Sequence, residues 1–251
     1  MTHCSRSKST QSGQTILNLK PIDLSRAGAE IVIVVVGILI AFGLDSWWDS
    51  NKQQIWERSQ LELLRDEAQS NMEHTKSVIE AHKGTAADIE VILAFATHQP
   101  AGEVVSLKNR AVTSLIKWRT SELSMGALDA LFASGELGEI SNPELRTSLT
   151  AWKAAALDAQ EKENLARDFV ERTLTPALSG EAYLAAAYAA RPPYGNSEEL
   201  ESRNVEIRSS TRLRSLSAAR LGHIRMAIYS QTNSLEALQE VVLLIERELS
   251  R

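Results

Sequence analysis

Histidine and carboxylate side chains in the first third of the sequence are candidates for binding a metal ion. His74 and His82 are separated by about two turns of a predicted helix, and Glu73 and Glu80 lie beside them. Imidazole and carboxylate groups bind zinc and other transition metals, so one interpretation is a metal site. The spacing is loose for one shared ion, and His82 falls on the apolar stripe of the helix. We therefore predict that His82 lies in the core with one hydrogen-bond partner, and we assign no metal ligand.

Arginine is concentrated between residues 203 and 225, where the only carboxylate is Glu206. Guanidinium groups bind anions through charged hydrogen bonds, so one interpretation is a contact with an envelope polymer, a lipid headgroup or an acidic ligand. The candidate residues are Arg208, Arg212, Arg214, Arg220 and Arg225. The alternative is a solvated helix face that pairs with acidic residues such as Glu57, Glu62, Asp66 and Glu67. The loop over residues 191–196, with Tyr188 and Tyr194, is a candidate contact loop because loops often carry function.

The sequence lacks the motifs of common catalytic and nucleotide-binding sites. It contains no H-E-x-x-H, Walker loop, G-x-G-x-x-G, G-x-S-x-G or paired C-x-x-C. Gly135 and Gly138 indicate a turn, because neither a strand nor a phosphate-binding Lys or Ser accompanies them. Cys4 is the only cysteine, which excludes an intrachain disulfide, and the net charge of −5 argues against nucleic-acid binding. We predict a protein that is not an enzyme and holds no cofactor.

The candidate histidines, carboxylates and arginines all follow an apolar segment near the N-terminus. Residues 31–44 carry no charge, and the extended stretch from Ala27 to Trp48 would measure about 33 Å as a helix. That length crosses the hydrocarbon core of a bilayer. Trp47 and Trp48 suit one membrane interface, and Glu30 lies close enough to the other end to face the headgroups. The sequence thus predicts a transmembrane anchor over residues 27–48.

Other interpretations of this segment stay open. Ala41-Phe42-Gly43 resembles a signal-peptide cleavage site, although the preceding polar region would be unusually long. A buried helix of a soluble protein would also be apolar. If the segment is an anchor, Gly37 and Ala41 form a small-xxx-small pair that would permit a homo-oligomeric contact, and Glu30 could make a polar contact between anchor helices.

The flanking charges predict the orientation. Arg6, Lys8, Lys20 and Arg26 precede the segment, and the positive-inside rule places such residues in the cytoplasm. The excess is slight, because Lys52, Arg58 and Arg65 follow the segment. We expect a disordered cytoplasmic tail over residues 1–26, an anchor in the inner membrane, and an extracytoplasmic domain over residues 49–251.

Apolar residues beyond the anchor recur at helical spacing. From Leu61 to Ala96 the steps are three and four in near-regular alternation, which predicts one helix from Trp48 to about Thr97. Asn142 and Pro143 resemble a helix start, and Gly135 a helix stop. No stretch alternates convincingly as a strand. Further helices are predicted over residues 103–118, 122–133, 143–175, 181–190 and from 210 to near the C-terminus.

This arrangement predicts an all-α protein in which the transmembrane helix continues into a long helix of an antiparallel bundle. The bundle would contain about four main helices together with shorter pieces.

Two blocks of the sequence follow a pattern found in known proteins. The first contains Glu30, Gly37-Ile38-Leu39-Ile40-Ala41 and Trp48, and the second runs from Leu128 through Ser134-Gly135 to Ile140, Leu145-Arg146 and Leu149. Both blocks resemble an uncharacterised family of bacterial single-pass membrane proteins. The chain departs from the family pattern at Ala29, where Gly is expected, and at Trp152, where Tyr is usual. The resemblance implies the topology and a helical domain, and it implies no activity.

Together these observations favour a non-catalytic, membrane-tethered interaction or scaffold module with a protein partner in the bacterial envelope. The alternative is a ligand-binding sensor or adaptor subunit, for which an apolar pocket ringed by Arg208 to Arg225 would argue. A metal-dependent enzyme is a third class, which would need His74 or His82 in a cleft with a carboxylate.

Overall fold

The computed structural model describes the backbone of residues 24–190 and 197–251 and the side chains of residues 32–190 and 198–251. This part of the chain is mostly helical, which confirms the all-α class. The α-helices are α1 (Leu24–His98), α2 (Asn109–Ile116), α3 (Gly126–Ser134), α4 (Pro143–Phe169), α5 (Thr175–Leu178), α6 (Ala182–Ala189), α7 (Ser197–Ser202) and α8 (Thr211–Leu249). The strands are β1 (Val104–Lys108) and β2 (Asn204–Arg208). The predicted 191–196 loop and most of the predicted tail lie outside the described residues.

The chain divides into two units, residues 1–54 and residues 55–251. In the first unit, the described residues belong to α1, and the large apolar side chains from Val32 to Trp48 are between 47% and 70% exposed. Within the described residues, α1 is the one helix that is long and apolar enough to cross a membrane. Length and composition are the basis of this finding.

The long helices of the second unit lie side by side. The Arg58 guanidinium donates to the Leu249 carbonyl (3.2 Å), and the Arg214 guanidinium donates to the Ala96 carbonyl (2.9 Å), so α8 is antiparallel to this part of α1. The Asn142 amide donates to the Glu248 carboxylate (2.6 Å). The start of α4 therefore lies beside the end of α8, and these two helices are antiparallel as well.

Between α1 and α4 the chain runs back along α1 without forming a long helix. Three contacts mark its path: Ser114 with Asp88, Ser124 with Asn71, and Ser141 with Glu57. This pass consists of α2, an irregular segment, α3 and a 3-10 turn at Glu136–Glu139. The predicted second helix, residues 103–118, and third helix, residues 122–133, are therefore shorter than expected.

Two apolar clusters form the core of the second unit. We call the first the Trp152 cluster; it includes Leu61, Leu64, Leu128, Leu145, Leu149, Trp152, Leu238 and Ile245. We call the second the Leu174 cluster; it includes Ile89, Ile92, Leu115, Val170, Leu174, Ile207, Leu213 and Ile224. Both clusters contain residues of α1 and α8, so the two long helices connect them.

The prediction of a helix beginning at residue 103 is wrong for residues 104–108, which form strand β1. This strand pairs with β2 in antiparallel register, with Val104 opposite Arg208 and Lys108 opposite Asn204. Its side chains alternate between exposed and half-buried. Five residues are too few to separate the two patterns, because Val104 and Leu107 fit helical spacing while Val105 and Leu107 fit strand spacing. The pairing partner also lies about one hundred residues away.

Several predicted helix ends are confirmed. The Asn142 side chain accepts hydrogen bonds from the Glu144 and Leu145 amides, and Pro143 follows as the first helical residue. Gly135 ends α3 in the left-handed conformation, with φ of +78°. The predicted helix to Thr175 is different in detail, because α4 ends at Phe169 and a π-helical turn occupies Val170–Leu174. This wider turn precedes Pro176, which has no N–H to continue regular α-helical hydrogen bonding.

Candidate functional site

Four buried polar residues from three helices and one loop form a layer between the apolar clusters. We call His82, Ser121, Glu163 and Gln231 the polar layer. Along the chain, Glu163 of α4 lies between Ala156 of the Trp152 cluster and Val170 of the Leu174 cluster. In the same way, Gln231 of α8 lies between Ile224 and Leu238. All four residues are buried. The layer therefore lies at the boundary between the two apolar clusters.

Glu163 is the centre of the polar layer. One carboxylate oxygen, Oε2, accepts hydrogen bonds from the Ser121 backbone N–H (2.8 Å) and the Ser121 hydroxyl (2.9 Å). The other oxygen, Oε1, lies 3.4 Å from Nε2 of His82. The Gln231 amide donates to the Ser121 hydroxyl oxygen (2.7 Å). These hydrogen bonds offset the free-energy cost of removing the Glu163 carboxylate from water.

The layer contains a serine, a histidine and a carboxylate, but their order does not suit nucleophilic catalysis. In a catalytic triad, histidine lies between serine and the carboxylate and takes the serine proton. Here Glu163 lies between Ser121 and His82, and it accepts from the serine. Ser121 is only 4% exposed, so a substrate would have no access to its hydroxyl. The arrangement holds the loop of Ser121 against α4.

The structure places the two candidate histidines in different surroundings. His82 is buried on α1 with Glu163 as its partner, which confirms the prediction of a core histidine with one hydrogen-bond partner. The Nε2 atom of His74 is buried without a hydrogen-bond partner among the described residues. Within those residues, no group of three or more His, Cys, Asp or Glu side chains could hold a metal ion.

A second set of polar side chains on α1 binds the main chain near the polar layer. The Asn71 side chain accepts from the Ser124 amide (2.9 Å) and donates to the Ser124 carbonyl (2.6 Å). One turn earlier, the Glu67 carboxylate accepts from the Ala127 (2.9 Å) and Leu128 (3.3 Å) amides at the start of α3. A carboxylate at this position compensates the unpaired N–H groups of a helix N-terminus.

The five candidate arginines bind elements of the same chain. Four of them donate to main-chain carbonyls: Arg208 to Gly102, Arg212 to Ala177, Arg214 to Ala96, and Arg220 to Leu115 and Lys117. Arg225 forms an ion pair with Glu90 (2.9 Å). Three of the carbonyls lie in the last turns of α1, α2 and α5, where cationic donors are favourable.

The alternative prediction is that these arginines pair with acidic residues such as Glu57, Glu62, Asp66 and Glu67, and for these four residues it is wrong. Of the carboxylates considered, Glu57 binds Ser141, Glu62 pairs with Arg58, Asp66 pairs with Arg65, and Glu67 binds the start of α3. A contact of the arginines with an external anion stays a prediction.

Arg220 is the largest fully buried side chain of the described residues. Its Nε donates to the Leu115 carbonyl (3.2 Å), and its Nη2 donates to the Lys117 carbonyl. Burial lowers the pKa of Arg220 to about 10, which leaves it charged at neutral pH. His223 follows one turn later and stacks on Phe169 with ring centroids 4.7 Å apart. Burial, and then the charge of Arg220, lower the pKa of His223.

The expected membrane-interface residues are partly described. Trp47 and Trp48 are more than half exposed, and the Lys52 ammonium group lies 5.6 Å from the centre of the Trp48 ring. A Cβ atom added to Gly37 would have no neighbour within 4 Å. The Glu30 side chain lies outside the described residues. Contacts of Gly37 and Ala41 with a second chain stay a prediction.

The comparisons with known proteins give no family assignment. No protein-family model, no curated protein and no solved structure matches this chain. The interpretation of the molecule therefore depends on its own residues and their arrangement.

Proposed function

We propose that this protein is a single-pass membrane protein whose helical domain acts as a non-catalytic interaction or scaffold module. The observation that supports the anchor is the exposure of every large apolar side chain from Val32 to Trp48. Leaving these side chains in water costs about 25 cal/mol per Å² of apolar surface. A bilayer removes this cost for a helix of the required length.

We propose further that residues 55–251 form a helical bundle on the extracytoplasmic side of a bacterial inner membrane. Three helices of this unit are long; α1 and α8 contribute buried residues to both apolar clusters and α4 to the Trp152 cluster, as is typical of bundles. The orientation is based on the basic residues before the apolar segment. The resemblance to bacterial single-pass membrane proteins supports the same topology.

An interaction role is favoured because the polar groups with catalytic potential make internal contacts. Glu163, Ser121 and His82 hold a loop, and Arg220 binds the end of α2. The proposed partners are the membrane and a second protein in the envelope. This proposal includes no nucleic acid, metal or cofactor.

A ligand-binding sensor or adaptor subunit is the second candidate. A cavity of about 280 Å³ lies between α1 and the segment that follows α2, and its lining includes Asp88, Arg110, Lys117, Arg119 and Glu201. Both charge signs would suit a zwitterionic or polar ligand, whereas the sequence-based alternative describes an apolar pocket ringed by Arg208 to Arg225. None of Arg208, Arg212, Arg214, Arg220 and Arg225 lines this cavity. Its test is ligand-dependent protection of Arg119 from a guanidinium-modifying reagent.

Membrane extraction and a topology reporter test the main proposal. We expect the full-length protein to stay with the membrane after alkaline carbonate treatment and to enter detergent micelles. A reporter that is active only outside the cytoplasm should be active at the C-terminus. Recovery of the intact chain in the aqueous fraction would contradict the anchor, and recovery of a shortened chain would indicate a cleaved signal. Cross-linking in the native membrane would then identify the envelope partner.

A further inference from the structure

The segment between α2 and α3, residues 117–125, crosses the middle of the second unit without regular secondary structure. We call it the strap. Ser121 is its one buried residue, and the other eight are half-buried or exposed. In the adjoining helices, by contrast, apolar side chains fill the interior. Trp118, Leu123 and Met125 of the strap are half-buried and pack against the two clusters, but none of the fully buried apolar residues of either cluster belongs to the strap.

Polar side chains from three long helices hold the strap in place. Glu163 of α4 and Gln231 of α8 bind Ser121, and Asn71 of α1 binds both the N–H and the carbonyl of Ser124. Arg220 of α8 binds the carbonyl of Lys117. The net contribution of each bond is smaller than its gross strength, because the groups would bind water if the strap were released.

Cavities lie on both sides of the strap. The cavity of about 280 Å³ separates Lys117, Trp118 and Arg119 from part of α1. A smaller cavity of about 50 Å³ lies between Ser121, Leu123 and Met125 on the strap and residues 156–160 of α4. Because these cavities leave part of the strap without neighbouring atoms, fewer dispersion contacts are lost when the strap moves.

We propose that the strap is a latch that opens as a unit while α1, α4 and α8 stay packed. Opening brings the polar layer into contact with water, which solvates the freed groups of Glu163 and Gln231. Because the two apolar clusters remain intact, the free energy of this opening is smaller than that of global unfolding. The open form exposes Asn71 and Glu163, which bind main-chain groups of the closed strap, and Gln231, which binds the Ser121 hydroxyl.

Hydrogen exchange of the full-length protein in detergent micelles tests the latch. We expect the amides of Ser121 and Ser124 to exchange about tenfold or more faster than buried amides in the middle of α4, although both strap amides are hydrogen-bonded. Glu163→Ala should accelerate exchange of the strap, and the strap should still exchange faster than the middle of α8, which exchanges only through global unfolding. Glu161→Ala is the matched control, since Glu161 is exposed on the same helix. Equal protection of the strap and α4 would overturn the proposal.

Thiol labelling gives a second measurement that does not require the Glu163 variant to fold. In a Cys4→Ser background, Ser121→Cys places a buried thiol on the strap, and Ser234→Cys places one within α8, where Ser234 is 2% exposed. We expect the thiol on the strap to react about tenfold faster, with a rate that depends weakly on urea. Equal rates with equal urea dependence would mean that the strap opens only when the whole unit unfolds.

Discussion

Glu163 and Ser121 are 42 residues apart in sequence, and a single carboxylate oxygen of Glu163 accepts both the backbone N–H and the hydroxyl of Ser121. This relationship connects a long helix to an irregular loop in the centre of the core. It also fixes the alignment of the helices, because sliding α4 by one turn would move a carboxylate into an apolar cluster. Buried polar groups set helix register in the same way in coiled coils.

Removing the Glu163 carboxylate should destabilise the second unit. Glu163→Ala leaves the Ser121 N–H and hydroxyl without acceptors in a buried position, and we expect a loss of about 2–4 kcal/mol in the free energy of unfolding. Glu163→Gln keeps one carbonyl acceptor and should lose less. Urea unfolding of the full-length protein in mild detergent, followed by tryptophan fluorescence, measures the difference. An alanine variant as stable as Glu161→Ala would show that these bonds contribute nothing.

Arg220 should contribute more through the space that its side chain fills than through its charged hydrogen bonds to Leu115 and Lys117. Arg220→Ala creates a cavity and leaves the Leu115 and Lys117 carbonyls unpaired, for an expected loss of about 3 kcal/mol. Arg220→Met fills most of the space and removes the cost of burying a cation, so it should lose about half as much or less. Thermal unfolding of both variants tests this ranking. Equal losses would instead assign the main contribution to the charged hydrogen bonds.

The half-buried position of His223 beside Arg220 predicts a dependence of stability on pH. Its pKa in the folded state is below the ordinary value of 6.5, so below pH 6.5 the unfolded chain binds a proton more readily than the folded chain. The contribution of His223 is therefore complete above pH 6.5 and is lost as the pH falls through the folded-state pKa.

Replacement of His223 should remove this part of the acid sensitivity. We expect His223→Gln to show a smaller decrease in melting temperature between pH 7.5 and pH 5 than the unsubstituted protein. Arg220→Met should raise the pKa of His223, which can be followed by NMR titration of the imidazole protons. An unchanged pKa in that variant would mean that the Arg220 charge does not act on the ring.

The regular helices could be predicted from the sequence because their signals are local. The apolar spacing from Leu61 to Ala96 and the start of α4 at Asn142 depend on residues within a few turns of each other. Strand β1 could not be predicted, since its partner β2 lies about one hundred residues away. The irregular strap was missed for a similar reason. Its main-chain groups are satisfied by side chains of distant helices.

The polar layer left a signal in the sequence that went unused. Glu163 falls on the buried stripe of α4, between Ala159 and Ala166, and Gln231 falls on the stripe of α8. A polar residue at such a position must find a buried partner. Pattern analysis could therefore flag Glu163 and Gln231 as members of a polar core, but not their partner Ser121, which lies on the strap.

Gly135 should be required by its backbone conformation. Its φ of +78° lies in the left-handed region, where a Cβ atom causes strain, so Gly135→Ala should cost about 1 kcal/mol. Gly138 is the matched control, because it lacks a positive φ and a Cβ there would meet no atom within 4 Å. Chemical unfolding of the two alanine variants measures the difference. A loss at Gly138 as large as at Gly135 would argue against conformational strain.

The apolar part of α1 should be sensitive to charge in a way that the rest of the helix is not. Val36→Arg combined with Leu39→Arg places two guanidinium groups where we propose the bilayer centre, at a cost of about 5–7 kcal/mol. We expect the double variant to lose most of its carbonate-resistant membrane association. Leu63→Arg is the control, because Leu63 is 54% exposed on the second unit and should tolerate the charge. If the double variant remains in the membrane as firmly as the control, the protein is held there by another segment or by a partner, and the proposed role of residues 27–48 is wrong.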